Sequence, residues 1–579
     1  MAEPEAPEPN HGFDDSRRLT GPSRWFDGTA VTLTPLGMAA HDAAAYERWA
    51  ARVLQVTAAL GWSDPQRRVV PHAREPQLLF AAPEDLLFTA TEINEWAWER
   101  SAFEAGERGF DLAQDLGDAD PVAVFAARAA AEHKPALAAL REAARARGLP
   151  VFVDDEALSI GAGAGSRSWP LGQLPAVDDV PWPALHDVPT ALVTGSNGKT
   201  TSVRLLSAMA AAASRAAGYC CTEGVFVGGA AVHTGDYSGP AGARTVLRHS
   251  GVQLAVLETA RGGILRRGLA VKRAELALVT NIQPDHLGEY GIDDADALAE
   301  VKLAVARALQ PDRGTLVLNA GDAALVRAAA RLPHVQRVRL ALFGAGAAQQ
   351  AQGAAWCSVH DGRLRLWDTR AEHDLGAVAD MPLTFGGTAS HNVENAAGAA
   401  LAGWALGLPP AALRATLAHF GARPQDNPGR LERWRHRGAT VLVDYAHNPD
   451  GLAQLLHVAR GLQPRRLGLL LGQAGNRDDD AIAELARTAA ATRADRVLIK
   501  ELPGMLRGRA PGEVPALLQQ ALSAAGQPAP TIERCDDEEA AARQLLAWAG
   551  PGDVVVLPVH TAAVRGALQA LLSSSAAAP

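Results

Sequence analysis

The segment Thr194-Gly195-Ser196-Asn197-Gly198-Lys199-Thr200-Thr201 puts two glycines, a lysine and two adjacent hydroxyls into eight residues. Glycines let backbone amides close around a phosphate, an ammonium reaches its outer oxygens, and a hydroxyl can join a divalent cation. The apolar run ALVTG (191–195) reads as a strand entering this loop, and TSVRLLSAMAAA reads as a helix leaving it. Gly195, Asn197, Gly198, Lys199, Thr200 and Thr201 are therefore the candidate phosphate-binding residues. The long form of such a loop has a glycine five positions before Gly198, and Val193 stands there, so this is a shorter variant.

Further polar residues stand at the ends of apolar runs. Glu258 closes VQLAVLE (252–258), and Asp285-His286 follow ELALVTNI (275–282). A carboxylate at the carboxyl edge of a parallel sheet can hold Mg²⁺. Taken singly, Glu258 could equally be a helix-cap acid and His286 a surface histidine. Beside a phosphate loop they acquire a shared purpose. Lysine is scarce: Lys134, Lys199, Lys272, Lys302 and Lys500 are the only five, against 50 arginines. A chain that writes arginine elsewhere can keep lysine where a compact ammonium or a reactive amine is needed, although codon bias would leave the same pattern.

These residues need elements to position them. Short apolar runs bounded by turns recur from Val188 onward, with helical segments between most of them. A second such series, ATVLVDYA (439–446), RLGLLLG (466–472), DRVLIKE (495–501) and DVVVLP (553–558), follows Pro424. That is the pattern of parallel strands covered on both faces. Upstream, TAVTLTPL (29–36) alternates like a strand. The runs 86–103 and 121–147 have helical spacing, and Gly148 closes the latter. The fold class expected is α/β and multidomain. A tail (1–15) is expected to be disordered, followed by an α+β N-terminal domain (16–160) and a Gly/Pro-rich linker (161–185). A central P-loop-type parallel-sheet domain (186–423) and a Rossmann-like C-terminal domain (424–579) complete it.

At 48% hydrophobic and 21% charged the chain can build large cores, and a net charge of -9 disfavours nucleic acid as the main partner. The four cysteines lack paired metal spacing, the N-terminus lacks a signal pattern, and no apolar stretch is long enough to span a bilayer. A cytoplasmic protein with neither a membrane nor a nucleic-acid partner is expected.

TGSNGKTT resembles the short phosphate loop of Mur ligases, which join a carboxylate to an amine and form ADP. Other motifs of that family follow in order: Glu258, the Asp285-His286 segment, Lys302 in a helix, His391-Asn392-x-x-Asn395-Ala396, Pro428-Gly429-Arg430-x-Glu432, and Asp444-Tyr445-Ala446-His447-Asn448-Pro449. The resemblance implies ATP and Mg²⁺, with Thr200, Glu258, His286 and Lys302 at the metals, Lys302 as a carbamate. An unmodified Lys302 pairing with phosphate or carboxylate is the alternative. It further implies Asn392, Asn395 and Asp444 at the nucleotide, and Lys199, Lys302, Arg430 and His447 as catalytic residues. His447 and Asp285 are candidates for accepting the amine's proton, with a structural role open for each. Over about residues 186–579 the chain resembles the Mur-type module of cyanophycin synthetases. Its N-terminal part resembles theirs more weakly, and the ATP-grasp domain they carry between the two is missing. The implied activity is an ATP-dependent, ADP-forming acid–amino-acid ligase working through an acyl phosphate. Its substrates are an amino acid and a peptide or amino-acid carboxylate, and homo-oligomers are compatible with it. The acidic stretch 476–480, with Glu501 or Glu513, could hold a cationic side chain or be a solvated loop. Rival readings are a folylpolyglutamate-like or other small-acid ligase, and a degenerate scaffold that binds nucleotide or polymer.

Overall fold

The computed structural model describes residues 11–63, 65–284, 287–351 and 354–576. The first unit is a four-stranded antiparallel sheet in the order Phe13–Leu19, Ala30–Pro35, Gln77–Ala81, Arg67–Val70. Ala30–Pro35 is buried along its whole length, and helices Ala43–Ala59 and Leu87–Glu104 pack on the sheet around Trp49, Phe80 and Trp98. The first strand begins inside the stretch expected to be a disordered tail. Residues 1–10 lie outside the described residues.

Two other expectations need correction. The alanine-rich run 121–147 is two helices, Pro121–Glu132 and Pro135–Ala146. Pro135 forces the residue before it out of the helical region, and Lys134 is extended at φ -113°, ψ 95°. The stretch read as a linker carries structure. Arg167–Pro170 pairs with Ala157–Ile160, which pairs with Val151–Val153, while Val180 and Leu185 share a small core with Leu137 and Leu140. Its glycines and prolines mark turns between short elements.

The central sheet has eleven strands. Seven neighbouring strands run parallel: Ala217–Cys221, Leu254–Glu258, Thr190–Thr194, Leu276–Val279, Thr315–Asn319, Arg339–Phe343 and Trp356–His360. Antiparallel hairpin strands extend both edges. The strands Thr190–Thr194, Leu254–Glu258 and Leu276–Val279 are buried throughout, and cores lie on both faces of the sheet. At about 1.5–3 kcal/mol per buried Val or Leu, runs such as ALVT and LAVLE are stable only in that sandwiched position. Parallel pairing sets Glu258 beside Val193 and Val279 beside Thr194, so the loops leaving these strands emerge along one edge.

The C-terminal sheet has six strands, five of them parallel, in the order Glu432–His436, Ala439–Asp444, Val554–Pro558, Leu467–Leu471, Arg496–Lys500, Ile532–Cys535. Its edge at Asp444 faces the phosphate loop of the central sheet, where the Asn197 side chain meets Asn448 and Asp450. Among the described residues no helix is long and apolar enough to cross a membrane. All four cysteines are free. Cys220 and Cys221 are buried in the strand Ala217–Cys221.

Candidate functional site

The loop Gly195–Gly198 joins the strand Thr190–Thr194 to the helix Lys199–Ala212. Its glycines are required by contact as well as conformation. A Cβ on Gly195 would lie 1.8 Å from Thr280 Oγ1, and one on Gly198, at φ +81°, would lie 2.1 Å from Asn395 Oδ1. Two lysines converge here: Lys199 Nζ donates to the carbonyls of Gly195 and Ser196 at 3.0 and 2.8 Å, and Lys302 Nζ donates to Gly195 O at 2.9 Å. Lys302 is 3% exposed, and so deep an ammonium suits a site that binds anions.

Beside the loop, Thr200 Oγ1 donates to Glu258 Oε2 at 2.8 Å. Glu258 is 1% exposed, and its Oε1 has no hydrogen-bond partner among the described residues. A buried carboxylate oxygen left without a donor is what a cation ligand looks like before the cation arrives. Thr200 and Glu258 therefore fit Mg²⁺. Asp285 and His286 lie outside the described residues. The segment leading to them is tied to the loop, because Ser196 Oγ accepts from Gln283 N at 2.9 Å and donates to Gln283 O at 3.1 Å.

Arg430 reaches the same place from the other sheet. Its guanidinium donates to Thr222 Oγ1 at 3.0 Å and Thr200 Oγ1 at 3.3 Å, and it stacks 4.6 Å from the Tyr445 ring centroid. The next residue, Leu431, has φ +53°, a conformation costing about 1–2 kcal/mol. Asp444 supports it. Its carboxylate accepts from Leu431 N at 2.6 Å and Ala446 N at 2.7 Å. Burial raises the Asp444 pKa, opposed by Arg430 and by those amides. The carboxylate expected to hold ribose thus also fixes the backbone that aims Arg430.

Asn392 donates to Leu383 O at 3.1 Å and accepts from Asn395 at 3.1 Å, which sets Asn395 against Gly198. Thr201 Oγ1 accepts from Asn427 at 3.1 Å. The His447 ring is tilted against Tyr445, with centroids 5.5 Å apart, and its Nδ1 lies 3.2 Å from Tyr445 O.

Two cavities open from this point. One, of about 550 Å³, lies between the two sheets and is lined by the loop, Asn319, Asp322, Asn392, Asn395 and Asp444. The other, of about 1370 Å³, extends toward the first unit. Ser196, Lys199, Thr222, Glu258, Tyr445 and His447 line both. The described nucleotide, metal and catalytic candidates each line one or both cavities, Gly195 and Lys302 the larger alone.

Sequence reading missed Thr222, Glu223 and Arg204. The Glu223 carboxylate pairs with Arg204 and lies 3.9 Å from Arg430 and 3.5 Å from Arg565. Thr222 and Glu223 follow the strand Ala217–Cys221, which was not recognised, and Arg204 lies within the recognised helix Lys199–Ala212 as one of many arginines, so no signal marked them. Asn448 was within the quoted Asp-Tyr-Ala-His-Asn-Pro motif but had no role assigned. The acidic cluster, by contrast, is occupied. Asp478 caps the helix Asp479–Ala490, Asp479 and Glu513 pair with Arg509 at 2.8 and 2.7 Å, and Glu501 accepts from Gly512 N at 2.7 Å. What this segment presents to the larger cavity is Asn476 and Arg477.

The Mur ligase middle domain matches residues 193–403, and the Mur ligase glutamate ligase domain matches 429–558. The UDP-N-acetylmuramoyl-L-alanyl-D-glutamate–2,6-diaminopimelate ligase of Synechococcus elongatus is 30% identical over 63% of this chain and 70% of its own length. The chain belongs to the Mur ligase family. Members of the family are ATP-dependent carbon–nitrogen ligases that use ATP and Mg²⁺. Cyanophycin synthetase of Trichormus variabilis is 33% identical over 68% of this chain, which spans 44% of that protein's length. A solved structure of E. coli FolC with DHPP and ADP superposes with a TM-score of 0.48 and 19% identity, covering 67% of this chain and 89% of that one.

Proposed function

We propose that this Mur ligase joins the amine of an amino acid to the carboxylate of an amino acid or peptide, converting ATP to ADP and phosphate through an acyl phosphate, as a cyanophycin-synthetase-like enzyme. The observation that carries this reading is the junction of the two cavities at Lys199, Thr222, Glu258 and Tyr445. A nucleotide in the smaller cavity would direct its phosphates at an acceptor in the larger one.

The chain's own residues have distinct tasks in this reading. The amides of Gly195–Lys199 and the helix N-terminus hold the phosphates. Lys199 and Arg430 stabilise charge spread over the transferring phosphoryl group, Arg430 through a planar guanidinium suited to oxyanions. Thr200, Glu258, His286 and Lys302 would hold Mg²⁺, with Lys302 as a carbamate in one form of the proposal. The ion supplies Lewis-acid neutralisation of the phosphate oxygens. An acceptor carboxylate oxygen bonds to the γ-phosphorus as the bridge to ADP breaks. The amine nitrogen then bonds to the acyl carbon, phosphate leaves, and the amine loses its proton. His447, which lines both cavities, would receive that proton, with Asp285 the other candidate.

The test is phosphate release from ATP, with amino acids tried pairwise against Asp-containing peptides and Lys199→Ala as the blank. Release should require both partners and fall by about 10²-fold or more in the variant. Absence of amine-dependent release with every pair overturns the reading.

A further inference from the structure

Three guanidiniums meet at the seam between the central and C-terminal sheets, and one carboxylate serves all three. Arg204 comes from the helix Lys199–Ala212, which leaves the phosphate loop, and is buried. Arg430 precedes the strand Glu432–His436, and Arg565 is buried in the helix Ala562–Ala576. Among the described residues the only carboxylate within ion-pair distance of any of them is that of Glu223. The other acids of the neighbourhood are engaged. Glu432 accepts from Gly429 N, Trp434 Nε1 and Gln569 Nε2, Asp444 from Leu431 N and Ala446 N, and Glu258 from Thr200.

Glu223 belongs to the central sheet. With Thr222 it forms the two-residue turn between Ala217–Cys221 and Gly224–Val227, and the pairing of Cys221 with Gly224 fixes the backbone of that turn. One carboxylate oxygen, Oε2, takes the Arg204 guanidinium. The other, Oε1, is buried with no hydrogen bond among the described residues, 3.5 Å from Arg565 Nη2 and 3.9 Å from Arg430 Nη2. Arg204 also holds the chain that leads to Arg430. Its Nη1 donates to Pro428 O at 2.7 Å and to Asn427 Oδ1 at 3.3 Å. Arg565 packs on the same segment, where a Cβ on Gly429, at φ +70°, would lie 2.9 Å from the Arg565 Cδ. Burial lowers the pKa of Arg204 and of Arg565, and the charge of Arg430 lowers both further.

Like charges gathered out of water repel, and a single acid in their midst turns that repulsion into attraction. Two of the three cations arrive with the C-terminal sheet and the acid with the central one, so the balance exists only where the two meet. We propose that Glu223 is a positioning residue for the ligase: its charge holds Arg565 and Arg430 against Arg204, and so aims the Arg430 guanidinium at the phosphate loop. Glu223 lines neither cavity and acts through the three arginines. The inference rests on the ligase reading for the rate it affects, but the positioning itself is read without turnover.

The experiment uses the full chain with Glu223→Gln, Glu223→Asp, Arg565→Gln, and the double variant Glu223→Gln/Arg565→Gln. Calorimetry with the ATP analogue AMP-PNP and Mg²⁺, and the radius of gyration from small-angle scattering in their presence, read the positioning. KM and kcat come from amine-dependent phosphate release. Glu223→Gln keeps the shape and removes the charge. Expected are a fall in kcat of about 10²-fold, AMP-PNP bound about tenfold more weakly, a larger radius of gyration, and a KM for the amine changed less than about threefold. Glu223→Asp, which keeps the charge, should recover part of each loss. Arg565→Gln should cost less than about tenfold in kcat, and the double variant should lose less than Glu223→Gln alone, because removing one cation relieves the excess left by the missing acid. A role in packing alone gives the opposite order, with the double variant worse than either single change, and that order overturns the proposal. So does a Glu223→Gln chain with the kcat and AMP-PNP affinity of wild type. Should Glu223→Gln fail to fold, a double variant that folds is the same result in its extreme form, and failure of both overturns the proposal. If the wild-type chain releases no phosphate with any substrate pair, the ligase reading fails, while AMP-PNP binding and scattering still decide the role of Glu223.

Discussion

Glu258 shows what a single residue discloses and what it hides. The sequence places a carboxylate at a strand end, and only the structure leaves one of its oxygens buried and unpartnered while the other takes the Thr200 hydroxyl. Glu258→Gln should therefore separate stability from metal response. Removing an uncompensated buried charge is expected to leave the metal-free protein as stable as wild type or about 1–3 kcal/mol more stable. The rise in melting temperature on adding Mg²⁺ with a nucleotide should disappear. Thermal melts with and without Mg²⁺ check both, and an unchanged Mg²⁺ response in the variant removes Glu258 from the metal site. His334 belongs to the same scale but lies away from the site. Its Nε2 donates to Leu303 O at 3.2 Å, and burial, with Arg307 nearby, pushes its pKa down from 6.5 to about 4. The unfolded chain thus takes up a proton that the folded one refuses between pH 6.5 and about 4. In that window this group makes stability fall as pH falls, by up to about 1.4 kcal/mol per unit. Denaturant midpoints at pH 7 and 5 should differ less in His334→Gln than in wild type. An equal difference would assign the acid sensitivity to other groups.

Secondary-structure elements were legible where burial writes a simple pattern. The runs ALVT, LAVLE, LALV and TLVLN are sandwiched on both faces, so tertiary position and local composition agree. Strands with mixed patterns escaped. AGYCC carries a glycine and two cysteines, and Glu372–Ala377, the edge strand, buries Leu375 alone. The strand Arg496–Lys500 shows what an element does with an odd residue. Lys500, fully enclosed at its end, donates to Pro558 O at 2.5 Å and pairs with Glu538. Glu538 in turn accepts from His560 N at 2.9 Å and Thr561 N at 3.0 Å. The pair therefore pins the turn after Val554–Pro558, and His560 from that turn reaches Ala446 O at 3.0 Å, next to Tyr445. Burial lowers the Lys500 pKa to about 8, with Glu538 opposing. Truncating one partner strands the other charge, so Lys500→Met and Glu538→Gln should each cost about 3–5 kcal/mol. The double replacement should cost less than the sum. Urea unfolding of the four proteins measures this, and additive losses would show that the pair is not coupled.

At the scale of the whole molecule, two parallel sheets meeting across a phosphate loop could be read from sequence, because each sheet announces itself through its own strands. How the first unit sits on them could not, since docking depends on surfaces that no local pattern encodes. Here the contact is made by main chain. Gly21 lies so close to the turn after Arg261–Arg267 that a Cβ would stand 2.0 Å from Leu269 O. The Arg24–Glu300 ion pair at 2.8 Å and the His72–Asp293 hydrogen bond at 2.7 Å lie around it. Partly exposed contacts of this kind contribute little on their own, so the close backbone seam determines whether the unit is held. Gly21→Ala tests this at a single atom. The methyl cannot be absorbed by a rotating side chain, because its neighbour is a carbonyl oxygen, and relief requires the first unit to lift from the central sheet. Overpacking of this kind costs about 1–3 kcal/mol or more, and it falls on the seam rather than on either core. Calorimetry of wild type should show the first unit melting with the central sheet. In the variant a separate, lower transition should emerge, and protease should cut sooner between the first unit and residue 186. A variant that melts as wild type does would mean that the seam yields elsewhere and that the wall of the larger cavity carrying Arg17 and Arg18 is not held by Gly21.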